Sequence, residues 1–224
     1  MIVDALVLSG GRGARLGGVA KAGLLVDGAT LLERTVGALG AARSLVIVGD
    51  APPRLLDARV SAAREHPAYG GPVAALGAGL AALDARREPA ADAVLLLAVD
   101  MPHVAPLVPE LLAVLAALPA AEAVLALDKS QRLQPLAGVY RTVPLRRVLA
   151  ELEAGSGDAE GARRTVEHRA PHPLASLPLR AITARMVVET VAAPPGSTAD
   201  VDTLDDAAAL GVTVPRVTEG DRSP

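Results

Sequence analysis

Apolar residues fall along this chain in two rhythms. Nearly continuous apolar runs at residues 2–8 (broken once, by Asp4), 44–48, 93–99 and 121–127 (broken once, by Glu122) are too short for helices and show no polar face. That is the mark of strands covered on both sides. Val60 and its neighbours make a weaker run of the same kind, and Leu133–Tyr140 reads as a further extended piece. Between these runs the spacing turns helical: Thr30 to Gly40, Pro72 to Arg87, Val104–Leu118, Val143–Glu153 and Thr203–Leu210. The first of these opens on the capping-box sequence Thr30-Leu31-Leu32-Glu33 and carries the stripe Leu31, Leu32, Val36, Leu39. Pro72 suits the first turn of the second, and its small residues (Ala74, Ala75, Gly77, Ala78, Gly79) let it lie close to a sheet.

The remaining stretches are less regular. Gly23 to Val26 with Asp27-Gly28 predicts a short extended piece and a turn. Leu179–Val191 is regular as helix or strand. Residues 155–178 mix a turn, a basic patch and three prolines, and form a substrate loop, ordered or mobile. Ala192–Ala199 is a loop, and residues 212–224 are read as a tail.

Alternation of apolar strands with 10–15-residue helices argues an α/β fold: a Rossmann-like three-layer α/β/α sandwich with a mostly parallel central sheet. Ligands of such sheets sit beyond the carboxyl ends of the strands. The polar clusters after residues 8, 48 and 99 all lie at such ends, so they can converge in space.

Composition narrows the classes. Of 224 residues 51% are apolar, mostly Ala, Leu and Val, with no Phe or Trp, so the core is aliphatic. A net charge of −3 offers nothing to a nucleic-acid backbone. The absence of cysteine excludes disulfides and thiolate metal sites. The apolar start, Ile2 to Leu8, is broken by Asp4 and is too short for a signal segment or a membrane span, so a cytoplasmic protein without a membrane partner is expected.

Chemistry concentrates in residues 6–25. There an apolar strand stops at a loop with five glycines between positions 10 and 18, together with Arg12, Arg15 and Lys21. Glycines let backbone N–H groups converge on an anion, and the cations neutralise it. Only Lys21 and Lys129 are lysines among the twenty-two basic residues, so a compact ammonium inside this loop stands out. The loop is not a Walker A loop, because Ala22 follows Lys21. It is not a dinucleotide fingerprint, because Gly17 falls one position late. An NTP site is the reading that remains.

Two carboxylate groups complete the set. Asp100 follows a fully apolar strand and precedes Met101-Pro102, a position suited to Mg²⁺ or to capping a helix. Asp200 and Asp202 share one face of an extended segment, where one can complete a metal site and one can cap the helix at Thr203. His66, His103, His168 and His172 show no metal-ligand spacing. Arg146-Arg147 and Arg163-Arg164 read as solvated faces, the second pair also as a contact for an anionic substrate.

These motifs resemble the nucleotidyltransferases that activate a phosphorylated metabolite with an NTP. The resemblance rests on Leu8-Ser9-Gly10-Gly11-x-Gly13-x-Arg15-Leu16-Gly17 with Lys21, on Gly71-Pro72-Val73-Ala74-Ala75-Leu76, and on Leu97-Ala98-Val99-Asp100-Met101-Pro102. Gln134 to Tyr140 and Asp200 to Asp206 extend it, so five motifs occur in order over residues 1–211. The short length, Gly17-Gly18-Val19-x-Lys21 and the Gln134 to Arg141 segment resemble the molybdenum cofactor guanylyltransferases most.

The resemblance implies a single domain, 1–211, with a nucleotide-binding half (1–103) and an acceptor-binding half (104–211). It implies joining of GMP from GTP to the terminal phosphate of molybdopterin with Mg²⁺, releasing pyrophosphate, and a molybdoenzyme or chaperone as protein partner. It implies that Leu8, Ser9, Gly10, Gly11 and Gly13 cradle phosphates and that Arg15 and Lys21 offset their charge. Asp50, Glu65, His66, Gly71 and Pro72 are implied for the nucleoside, and Asp100 with Asp202 for the metal. Ala20 stands where the family carries Asp, and Thr203-Leu204-Asp205-Asp206 where it carries Thr-Pro-Glu-Asp. Cytidylyl transfer to the same pterin, another NTP:phosphometabolite transfer, and a nucleotide-binding regulator without catalysis remain open.

Overall fold

Seven strands form the central sheet in the order β5-β4-β1-β6-β8-β7-β9. The computed structural model describes residues 1–10, 16, 19–158 and 172–215. Strand β1 (Val3–Ser9) runs parallel to β4 (Leu45–Gly49) on one side and to β6 (Ala93–Ala98) on the other, and β5 (Val60–Ala63) extends the parallel half. Beyond β6, β8 (Leu133–Arg141) is antiparallel to both its neighbours, and β7 (Ala123–Leu127) pairs parallel with the edge strand β9 (Val188–Ala192). Four of the six pairings are therefore parallel. The two-residue strands β2 (Leu25–Val26) and β3 (Ala29–Thr30) form a separate hairpin across Asp27-Gly28. Both turn residues have positive φ, as a tight hairpin turn requires.

The nearly continuous apolar runs are explained by two cores, one on each face. Odd positions of β1 (Val3, Ala5, Val7) enter a core with α1 (Leu31–Ala38), α3 (Leu107–Ala117) and α6 (Leu204–Ala209). Leu6 and Leu8 enter the other, with α2 (Pro72–Ala85), α4 (Thr142–Asp158) and α5 (Arg180–Thr183). Strands β4 and β6 divide their residues in the same alternating way. The result is the expected three-layer sandwich. Gly79 explains how closely α2 lies on the sheet: a Cβ there would sit 2.9 Å from Leu6 Cδ2 and 3.0 Å from Val48 Cγ2.

Several boundaries differ from the sequence reading. The Leu179–Val191 stretch is both alternatives in turn, first α5 and then β9. The helix expected from Val104 begins at Leu107, since Pro106 disfavours the helical conformation at the residue before it, Ala105. The tail expected from 212 begins later: Val212 is buried and Thr213 exchanges two backbone hydrogen bonds with Leu25 (2.7 and 3.0 Å). A lone apolar pair near a terminus has no periodicity to reveal it. The Arg163-Arg164 pair and His168 lie outside the described residues.

Chain order fixes where a ligand can enter. From β1 the chain steps outward through β4 and β5, then α2 carries it back to β6 on the other side of β1. Strand order reverses between β1 and β6, and the crevice of an open α/β sheet forms at that point, beyond the carboxyl ends of the two strands.

Candidate active site

The strand ends place the chemistry. Val99 N donates to Leu8 O at 3.1 Å, which carries the β1–β6 ladder to the brink of Asp100. Gly49 lies beside the end of β1 with φ +122°, and a Cβ there would stand 3.0 Å from the Ser9 carbonyl carbon. Only glycine fits that approach. Ser9 Oγ donates to the Asp50 carbonyl (3.3 Å), tying the two strand ends together. Leu16 is buried in the core, and Lys21 opens a single 3-10 turn, Lys21–Gly23.

Lys21 and three aspartates converge beyond these ends. Lys21 Nζ donates to Asp100 Oδ2 at 2.8 Å and to Asp202 Oδ1 at 2.5 Å. Oxygens of Asp100, Asp200 and Asp202 all lie within 4.8 Å of one another. Asp202 comes from the far end of the chain and is delivered by two devices. Val201 N donates to Asp100 O (3.0 Å), with the Val201 side chain buried. The capping box of α6 then fixes the turn: Asp206 N donates to Thr203 Oγ1, and Asp206 Oδ2 accepts from Thr203 N and Asp202 N. The Thr203 bonds hold the Asp206 carboxyl below its usual range.

Electrostatics follow from burial and neighbours. Burial opposes the Lys21 charge, yet Asp100, by Coulomb attraction and a hydrogen bond, and then Asp202 outweigh it, so the ammonium is held above its ordinary pKa. Asp200 is pushed up, first by burial and then by the like charges of Asp202 and Asp100. Three carboxylates against one ammonium leave an excess of negative charge. An all-oxygen donor set of that charge suits a hard divalent cation such as Mg²⁺, which keeps several waters and also takes phosphate oxygens.

A cleft of about 370 Å³ opens beside this cluster. Its apolar walls include Leu8, Val48, Ala75, Ala98 and Leu136, and its polar edge includes Lys21, Glu65 and Asp100. Gly71 and Pro72, at the start of α2, close one side. Gly71 caps that helix with φ +90°, and Ser176 N pins the preceding Gly70 carbonyl at 2.7 Å. Glu65 Oε1 accepts from Tyr69 N at 3.0 Å, which folds the 65–70 loop onto its own carboxylate.

Of the residues singled out in the sequence, Leu8, Gly10, Lys21, Glu65, Gly71, Pro72 and Asp100 line this one cleft. Ser9, Asp50 and His66 do not: Asp50 is exposed and paired with Arg64, and His66 precedes a cis proline in the 65–70 loop. Gly11, Gly13 and Arg15 lie outside the described residues. The sequence reading missed Tyr69, Val48 and Leu136 as wall residues, because apolar residues at strand ends are indistinguishable from core. Tyr69 had a signal, being one of only two tyrosines.

Comparison with known proteins agrees with the fold. The molybdopterin-guanine dinucleotide biosynthesis protein A of Archaeoglobus fulgidus superposes with a TM-score of 0.60 over 93% of this chain and 96% of its own, at 18% identity. The 2-C-methyl-D-erythritol 4-phosphate cytidylyltransferase of Thermus thermophilus gives 0.57 over 94% and 98%, at 20% identity. The 4-diphosphocytidyl-2C-methyl-D-erythritol synthase of Anaerococcus prevotii gives 0.61 over 94% of each chain, at 13%. At these identities the likeness is one of fold. No curated protein matches the chain. The model of the MobA-like NTP transferase domain matches residues 5–173, which is 169 of 224, and the chain therefore belongs to the MobA-like NTP transferase family.

Proposed function

We propose that this nucleotidyltransferase joins GMP from GTP to molybdopterin, releasing pyrophosphate, with Mg²⁺ held by Asp100 and Asp202 and with Asp200 beside them. The observation that carries the reading is the convergence of Lys21, Asp100 and Asp202 at the mouth of an apolar cleft edged by Glu65. An ionised carboxylate offers acceptors only. It therefore matches the guanine edge, where N1–H and the 2-amino group are adjacent donors. Cytosine places a single amino donor beside acceptors, which is the poorer match. The membership of this family and the named function of the A. fulgidus neighbour lend the same support, while the two erythritol-phosphate neighbours keep cytidylyl transfer as the second reading.

In the reaction a phosphate oxygen of the acceptor attacks the α-phosphorus of GTP. A new P–O–P bridge forms, the bond from the α-phosphorus to the bridging oxygen breaks, and pyrophosphate leaves with that electron pair. Alignment and charge stabilisation carry such a transfer. The Lys21 ammonium, which the aspartates keep charged, faces the phosphates and offsets charge developing on pyrophosphate. The N–H groups of the glycine loop from Gly10 and the Arg15 side chain add to this cradle. Leu8, Val48 and Ala75 exclude water around the base. Bound Mg²⁺ supplies Lewis-acid polarisation of phosphate oxygens. We expect that cytosol houses the protein and that its product passes to a molybdoenzyme or chaperone. Among the described residues no helix is long and apolar enough to cross a membrane.

The test is pyrophosphate release with GTP, CTP, ATP and UTP, each with Mg²⁺ and molybdopterin. Release with GTP well above the others is the expected result. Release led by CTP would transfer the reading to the second one, and release with none would point to a regulator.

A further inference from the structure

A second groove, of about 800 Å³, opens beside the acidic cluster. Its walls are the β7–β8 turn with Asp128, Lys129 and Arg132, the Pro194-Pro195 loop after β9, and the end of α6. Asp200 lines it, and Asp200 shares the cluster with Asp100, which lines the nucleotide cleft. The two cavities therefore meet at one carboxylate cluster.

The turn is built to present cations. Asp128 Oδ1 accepts from Ser130 N (2.7 Å) and Arg132 N (2.9 Å), and Asp128 Oδ2 accepts from Gln134 Nε2 (2.9 Å). The Asp128 backbone closes the turn with bonds to Arg132 O (3.0 Å) and from Gln131 N (2.9 Å), with Gln131 at φ +60°. The Asp128 charge is thus committed to the turn. Its carboxyl is held below the ordinary range first by the Arg132 backbone bond and last by the attraction of the Arg132 charge. Among the described residues, neither Lys129 Nζ nor the Arg132 guanidinium makes a hydrogen bond or ion pair. Arginines elsewhere in the fold pair readily: Arg43 with Asp4, Arg146 with Asp84, Arg147 with Glu122. Two exposed cations on a braced turn, whose one carboxylate is already bonded to backbone and amide, leave the groove open to an anion.

We propose that this groove holds the acceptor and that Lys129 and Arg132 are its specificity-determining residues, binding the anionic end of a phosphate monoester. The proposal rests on the nucleotidyl-transfer reading above and adds to it the acceptor's place and the residues that select it. The apolar floor at Pro194, Pro195 and Leu210 takes the organic body of the acceptor. The groove has the capacity of a small-metabolite site. Lys129 and Arg132 supply the counter-charge that lets an anion approach a centre already occupied by a triphosphate and three carboxylates.

The test uses the full chain with K129A, R132A, R132E and R132K. Pyrophosphate release is measured with GTP and Mg²⁺ against three acceptors in turn: molybdopterin, 2-C-methyl-D-erythritol 4-phosphate and glucose 1-phosphate. GTP affinity is measured alongside by calorimetry. With whichever acceptor the wild type uses, KM rises about tenfold in each alanine variant and further in R132E, since a charged hydrogen bond is lost. R132K restores most of the affinity, while kcat and GTP affinity hold. An acceptor KM unchanged in R132A and R132E overturns the proposal and leaves nucleotidyl transfer standing. A raised KM with an acceptor other than molybdopterin supports the groove and overturns the pterin as its substrate. No release with any acceptor, with GTP still bound, overturns both.

Discussion

The two cavities that meet at the acidic cluster are built in different ways. The cleft proposed for the nucleotide sits on the parallel half of the sheet. Its floor is the ends of β1, β4 and β6, and the start of α2, Leu136 of β8 and the 65–70 loop complete its lining. The second groove sits on the half where β8 runs antiparallel between β6 and β7, and its lining comes from a turn, a loop and a short helix. A register break between Leu125 and Ala126 divides the two. Gly138 pairs with Leu125, but Gln134 pairs with Ala126, so the intervening residues bow out of the ladder. Leu136 thereby reaches the nucleotide cleft, while Gln134 braces the turn of the groove. A rigid strand-end site suits a reacting triphosphate that must be held in line, and a loop-built groove is where acceptor choice can vary without disturbing it.

Removing the shared centre is the severest way to break this division. Asp100→Asn and Lys21→Met are expected to lower turnover about 100- to 1000-fold each, the range for a lost charge-stabilising group. Thermal melts of both variants stay near wild type, because both side chains sit at the rim and not in either core. Near-normal pyrophosphate release by either would remove that residue from the centre.

The parallel half is sharpened next by packing. Gly79→Val forces new methyl groups against Leu6 and Val48, and overpacking of this kind costs about 1–3 kcal/mol. Urea unfolding checks it, and unchanged stability would show that α2 does not press on β1 and β4. Within the cleft, Glu65→Gln places an amide donor where guanine also donates, so the GTP-over-CTP preference in kcat/KM is expected to fall about tenfold, one lost matched pair. An unchanged ratio would assign base choice to the backbone.

The smallest effect lies at the α1 capping box. Thr30→Ala costs about 1 kcal/mol, a typical N-cap loss. Glu33 adds a pH signature. The Thr30 backbone bond first, then the Thr30 hydroxyl and Arg54, hold its carboxyl at about 2, down from 4.5. A depressed carboxyl stabilises the fold fully above its unfolded value and ceases to as pH falls through its folded one. The melting advantage of wild type over Glu33→Gln should therefore be whole at about pH 6 and shrink between pH 4.5 and 2. An advantage independent of pH would mean that the box does not form.

The sequence by itself determined a good deal. Nearly continuous apolar runs announced strands buried on both faces, because two helix layers leave no polar side to record. The capping box at Thr30 was readable because its partners are three residues apart. Lys21, Asp100 and Gly71-Pro72 were readable because a strand's carboxyl end is a place legible in one dimension. Asp202 was read only as a candidate, since 181 positions separate it from the ammonium it meets. Tertiary structure alone decided that meeting, through the Val201–Asp100 backbone bond and the α6 cap. It alone made β8 antiparallel and broke its register, and it alone returned Val212 to the core and bridged Thr213 to Leu25. Strand direction and long-range pairing come from the closing of the whole sheet, and no local pattern of residues encodes them. The composition of the glycine loop predicts an anion site, but which carboxylates hold Lys21 was settled only when the two ends of the chain came together.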